Sequence, residues 1–201
     1  LAAAVGVGLN VLASQGQMIV DIGGGTTEAA VISLGGIVTA NARRIGGVTL
    51  DNAIINHLKN KYFFLVGEQT AEFIKIMVAS VKSSSNTSFI DVGGIDLRLG
   101  LPKKIRVTSE MINEPVVRFV KEIIAIINQT FEECPPEIAG DIAKNGMVIT
   151  GGGALLRGLS KDLQFATGVP VFTSSLPLLS VAHGGAKILE NHRLFNQLQA
   201  G

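Results

Sequence analysis

The stretch Asp21-Ile22-Gly23-Gly24-Gly25-Thr26-Thr27-Glu28 constrains the fold more than any other part of the sequence. It lies between two apolar runs rich in Val and Ile, Met18–Ile22 and Ala29–Leu34, each short enough to be a strand. An acidic residue, glycines and hydroxyls are thereby concentrated at a tight strand-to-strand turn. Glycine permits φ > 0 and lets a bulky anion approach backbone N–H groups closely. The hydroxyls of Thr26 and Thr27 add donors for phosphate oxygens. Asp21, at the strand end, can hold a hydrated Mg²⁺, an ion that keeps most of its waters and takes few protein carboxylates. These are the requirements of a nucleotide-phosphate hairpin. The plain alternative is a glycine-rich turn with no ligand.

Composition narrows the classes. A chain of 201 residues that is 47% hydrophobic and 16% charged can bury a substantial core as one large unit or two small ones. A net charge of +1, with no long run of one sign, argues against a nucleic-acid surface or a polybasic membrane patch. The single cysteine, Cys134, excludes an internal disulfide and a multi-cysteine zinc site. His57, His183 and His192 are scattered without metal-ligand spacing. No run reads as a membrane span or a signal peptide. Leu1 falls inside an Ala-rich helical pattern, so the sequence predicts further chain upstream.

Along the chain, Leu1–Ala13 reads as the tail of a small-residue helix. Strands are predicted at 17–22, 28–34 and 37–44, forming a meander with Gly35-Gly36 as a hairpin turn. Thr49 is a candidate cap for a helix over 50–61, and a second helix is predicted over 68–81. Lys82–Ser88 is a polar, Ser-rich loop, and 89–107 a β-hairpin. Met111–Phe131 is a strongly amphipathic helix whose stripe of Val116, Phe119 or Val120, Ile123 and Ile127 is core, with Pro135-Pro136 stopping it. Then come a strand at Met147–Thr150, a turn at Gly151-Gly152-Gly153, a helix over Ala154–Phe165, a strand at Val169–Thr173 and a helix over about 180–190. This order is not a βαβ array, and no Gly-Lys-Ser/Thr follows the first glycine turn, which excludes a Walker A loop.

Three further features can join the opening turn. In Ile149-Thr150-Gly151-Gly152-Gly153-Ala154-Leu155-Leu156, a glycine turn opening a helix gives an anion or a flat nucleotide a backbone to lie on. Glu72 and Lys75 share a helix face. They are either a solvated pair or polar contacts for a ribose and base edge. Arg44-Ile45-Gly46-Gly47 closes the meander as a plain turn. Val92-Gly93-Gly94 reads as part of the hairpin, with no helix start to receive phosphate.

Taken in order, these segments resemble the actin-like ATPase superfamily and, within it, the MreB-like cell-shape family. The carrying residues are Leu1–Gly6, Met18–Glu28, Arg44–Gly47, Gly67–Lys75, Gly100–Lys103, Glu133–Ile138 and Gly146–Arg157, so the resemblance covers nearly the whole chain. The Cys-Pro-Pro-Glu and Gly-Gly-Gly-Ala-Leu-Leu-Arg stretches are its more specific parts. It implies an α/β, ribonuclease-H-like core over 1–45 and 109–201, with an inserted helix-hairpin unit over 46–108. It also implies ATP and Mg²⁺ as ligands. Asp21 would face the metal shell, and Gly23, Gly24, Gly25, Thr26 and Thr27 would form a phosphate loop. Glu72 and Lys75 would line the ribose and adenine, and Gly151, Gly152, Gly153, Ala154 and Leu155 the adenosine shelf. The family hydrolyses ATP. By resemblance its water-positioning glutamate and first phosphate loop lie before Leu1, leaving this chain with no catalytic residue of its own, weak nucleotide binding and no meaningful hydrolysis. Self-association into filaments, membrane-protein partners of the cell-shape machinery and a place at the cytoplasmic face of the membrane are implied likewise. Val48, the Ser-rich 82–88, Phe63-Phe64 and the tail from His192 depart from the family pattern. The rival readings are a sugar kinase or chaperone ATPase of the same superfamily, and an interaction module that binds no nucleotide.

Overall fold

A computed structural model describes residues 1–81 and 88–199; the predicted loop at 82–88 lies outside these except for Ser88. In chain order the elements are α1 (Ala2–Gly6), β1 (Gln17–Ile22), β2 (Thr27–Ser33), β3 (Gly36–Arg43), α2 (Gly47–Tyr62), β4 (Phe64–Leu65), α3 (Glu68–Val78), β5 (Phe89–Asp96) and β6 (Leu101–Thr108). They continue with α4 (Asn113–Glu132), α5 (Pro136–Asn145), β7 (Met147–Thr150), a 3₁₀ turn (Gly152–Leu155), α6 (Leu159–Thr167), β8 (Val171–Thr173), α7 (Ser180–Glu190) and α8 (His192–Gln199).

The main sheet runs β3-β2-β1-β7-β8. The meander β1–β3 is antiparallel, while β1 pairs β7 and β7 pairs β8 in parallel. Alternation along the strands feeds two cores. Met18, Val20, Ile22, Ala29 and Val31 pack with α2, α3 and α4. Ile19 and Ile32, of opposite parity, pack with Ala4, Val5, Val11 and the α7–α8 residues Ile188, Leu194 and Leu198. Burial on both faces explains the unbroken apolar run Met18-Ile19-Val20 in β1. A second, antiparallel sheet, β4-β5-β6, joins the first core through Val92 and Val107. The stripe of α4 is core as predicted: Val116, Phe119, Val120, Ile123 and Ile127 are all buried.

On the far face α1 crosses α7 backbone to backbone. A Cβ on Gly184 would lie 1.8 Å from the Ala2 carbonyl oxygen, and one on Gly6 would lie 1.8 Å from that of Ser180. Only glycine permits this approach.

The structure revises several expected boundaries. The β2–β3 hairpin turns at Leu34 and Gly35, both at positive φ, and not at Gly35-Gly36. The Leu34 and Gly35 amides donate to Ala13 and Val11, which holds this conformation. Pro135-Pro136 do not end α4, which closes at Glu132; they open α5, with Pro136 at its first position, where the missing N–H is free of cost. The helix predicted over 154–165 is a 3₁₀ turn followed by α6, and the helix predicted to reach 81 ends at Val78. Both changes have one cause: Ser80 bridges Arg157, and the Val81 amide donates to the Arg157 carbonyl at 3.0 Å, which requires both segments to be extended. No helix among the described residues is long and apolar enough to cross a membrane.

Candidate functional site

The first glycine turn joins β1 to β2, as its flanking runs require. Gly23 N–H donates to Thr26 O at 2.8 Å, which closes the loop. Among the described residues the amides of Gly24, Gly25 and Thr26 donate to no protein acceptor, and all three residues are exposed. Consecutive free amides in a glycine turn form a concave anion seat. Thr27 behaves otherwise: it is fully buried and its hydroxyl donates to the Ile45 carbonyl at 2.9 Å, so it braces the turn and is not a free donor for a phosphate.

The predicted plain turn Arg44–Gly47 is part of this support. Gly47 N–H donates to Gly23 O at 3.0 Å and Val48 N–H to Gly24 O at 2.9 Å. The turn carbonyls thus satisfy two amides at the start of α2 that the helix cannot. A Cβ on Gly46 would sit 2.5 Å from Gly24 O, so the docking needs glycine there. Thr49 is not the cap. It is the third residue of α2, and its hydroxyl accepts the Gly46 N–H.

Asp21 faces Glu28 across the β1–β2 ladder. Burial, and then the Glu28 charge, push its carboxyl above the usual carboxylate range. Among the described residues no donor or cation reaches it. Two carboxylates directly opposed and unneutralised destabilise a sheet, and a cation held beside Asp21 would remove the conflict. A hard oxygen donor suits Mg²⁺. No cluster of three or more His, Cys, Asp or Glu exists among the described residues, so any such ion would be held by few protein ligands.

The second glycine turn follows β7, the parallel neighbour of β1, and this register sets it beside Asp21. Gly151 has φ +81°, and a Cβ there would lie 2.5 Å from Asp21 Oδ1. The Gly152 and Gly153 amides have no protein acceptor among the described residues. Ala154 is buried beneath the turn, and Leu155 is exposed. The two turns meet at a cleft of about 480 Å³. It is lined by Gly23, Gly24 and Gly47, by Glu72, Lys75 and Ile76 of α3, and by Gly152, Gly153 and Leu155. Leu178 lines it too, so that Ile76, Leu155 and Leu178, all more than half exposed, give it an apolar patch. Asp21, Gly25, Thr26, Thr27, Gly151 and Ala154 do not line the cavity itself. A roomier surface concavity of about 560 Å³, beside His57 and Glu114, has no glycine turn and no free amide seat.

Two side chains at the cleft have roles that sequence reading did not find. Lys75 does not pair with Glu72; its ammonium lies 2.9 Å from Asp51 of α2. Burial raises the Asp51 carboxyl above its usual range, opposed by the hydrogen bond and charge of Lys75. The 24 residues separating the two leave no local signal. Arg157 donates to the Met77 carbonyl and to Ser88 Oγ, which closes the C-terminal end of α3 onto the second turn. Val92-Gly93-Gly94 lies inside β5, as expected of hairpin glycines. Cys134 is buried, and burial pushes its thiol up.

Comparison with known proteins shows the family and the fold. The family described as MreB/Mbl protein matches residues 1–197. The chain is 46% identical over 190 residues to the cell shape-determining protein MreB of Escherichia coli K12, covering 94% of this chain and 55% of that one. It superposes on MreB5 of Spiroplasma citri, solved bound to ADP, with TM-score 0.92 and 35% identity over 97% of this chain and 59% of that one. A MamK double helical filament shares the fold at TM-score 0.74 and 21% identity, over 94% of this chain and 57% of that one. The chain therefore spans a little over half the length of the relatives it matches, has the actin-like fold, and belongs to the MreB/Mbl family.

Proposed function

We propose that this chain supplies one wall of an adenine-nucleotide cleft in a filament-forming, cell-shape-determining protein. The observation that carries the reading is the convergence on a cleft with an apolar patch of two glycine turns whose amides, like the carboxylate beside one of them, have no partner among the described residues. In this reading the Gly24, Gly25 and Thr26 amides hold phosphate oxygens, and Asp21 holds Mg²⁺ through its water shell. Glu72 contacts the ribose and base edge, and Lys75 lines them with its methylene stem, its ammonium being held by Asp51 and the Gly47 carbonyl. Gly152, Gly153 and Leu155 form the shelf for the base, with Gly151 and Ala154 shaping it from below. The ion, when bound, neutralises charge on the phosphates; hydrolysis of ATP belongs to the whole protein.

Residues 46–108 are read as a unit inserted into the core formed by 1–45 and 109–201. End-to-end self-association, contact with membrane proteins of the cell-shape machinery and a place at the cytoplasmic face of the membrane complete the proposal. The family membership and the ADP-bound relative support it. Calorimetric titration with AMPPNP and Mg²⁺ tests the cleft. Saturable binding, weakened about tenfold by Glu72→Ala on the scale of one or two lost hydrogen bonds, is expected. Absence of saturable binding overturns the reading.

A further inference from the structure

The phosphate turn and the α3 wall of the cleft come from distant parts of the chain, and one ion pair joins them. Lys75 Nζ donates to Asp51 Oδ2 at 2.9 Å and to the Gly47 carbonyl at 3.3 Å. The Lys75 and Asp51 side chains are only 18% and 12% exposed. Gly47 and Val48 in turn donate to the Gly23 and Gly24 carbonyls. The connection therefore runs from α3, through the first turn of α2, into the glycine loop.

A buried ion pair is a poor stabiliser, since apolar residues of similar volume often do as well or better. This pair is poorer still, because Asp51 Oδ1 is buried with no hydrogen-bond partner among the described residues, against the general rule for buried polar atoms. What the pair provides that packing does not is a fixed direction: two groups of α2, the Asp51 carboxylate and the Gly47 carbonyl, meet at one ammonium from α3. Asp51 does not line the cleft, so it acts through Lys75 and not on a ligand.

We propose that Asp51 is a positioning residue for the nucleotide cleft: its carboxylate fixes the Lys75 ammonium against the Gly47 carbonyl and so holds the α3 wall and the glycine turn in one register. The proposal rests on the nucleotide reading above. A ligand that reaches both the α3 wall and the turn depends on that register. A nucleoside, which touches only the α3 wall and the shelf, does not.

Affinities for AMPPNP and adenosine, with Mg²⁺, and the thermal midpoint without ligand are to be measured for the wild-type chain, Asp51→Asn and Asp51→Glu. Asp51→Asn is expected to weaken AMPPNP about tenfold, the usual scale for an outer positioning group, with adenosine affinity little changed and the midpoint lowered because the Lys75 charge loses its partner. Asp51→Glu is expected to recover part of the loss. Equal weakening of both ligands, or unchanged AMPPNP affinity, overturns the proposal. If the wild-type chain binds neither ligand, the nucleotide reading has failed. The register is then read by amide exchange at Gly47 and Val48, which donate to the Gly23 and Gly24 carbonyls: faster exchange in Asp51→Asn upholds it, and unchanged exchange overturns it.

Discussion

Asp21 is the residue at which the fold accepts an unfavourable arrangement. Its carboxylate is half-buried, faces Glu28 and has no positive partner among the described residues. Because its pKa is raised in the folded chain, the folded state binds the extra proton between the unfolded and folded values. Stability from this site is therefore present at low pH and lost as pH rises through that window. Without a cation, Asp21→Asn is expected to be more stable than wild type at neutral pH by about 0.5 kcal/mol, the scale of an opposed cross-strand charge pair. The difference should vanish as pH falls below the usual carboxylate range, and urea denaturation at several pH values checks it. The Asp-plus-glycine pattern that points to this residue is local in sequence, so it is legible. The identity of its opponent is not, because Glu28 faces Asp21 only once the hairpin register is set.

At the scale of elements, backbone approach decides more than side-chain packing. α1 and α7 touch through Gly6 and Gly184, so Gly184→Ala must push the helices apart. A cost of about 1–3 kcal/mol is expected for such overpacking, or a thermal midpoint lower by several degrees in a chain of this size. An unchanged midpoint contradicts the crossing. Arg157 is the other joint. Arg157→Met is expected to speed amide exchange at Ile76–Ala79, with global stability altered by less than about 1 kcal/mol, as befits an exposed contact. The strands of the meander, α4 and α7 were readable because their periodicity is strong and self-contained. The ends of α3 and α6 were not, because the Ser80–Arg157 bridge that sets them joins residues 77 apart. Pro135-Pro136 misled for a different reason: proline stops one helix and starts another by the same missing N–H.

Across the whole molecule, one sheet buried on both faces holds two glycine turns side by side at the ends of adjacent parallel strands, β1 and β7. The turns themselves were visible in the sequence. Their meeting depends on the parallel pairing of strands more than 100 residues apart, which no local pattern encodes and only the family resemblance implied. The Asp51–Lys75 pair escaped for the same reason. In the function proposed above, Asp21 and the first glycine turn bind the phosphates of an adenine nucleotide with Mg²⁺. The most direct test is AMPPNP affinity for wild type and Asp21→Asn, each with Mg²⁺ and with EDTA. Mg²⁺ is expected to strengthen binding to wild type at least tenfold, a difference of about 1.4 kcal/mol, and to leave Asp21→Asn unchanged. Equal Mg²⁺ dependence in the two chains contradicts it.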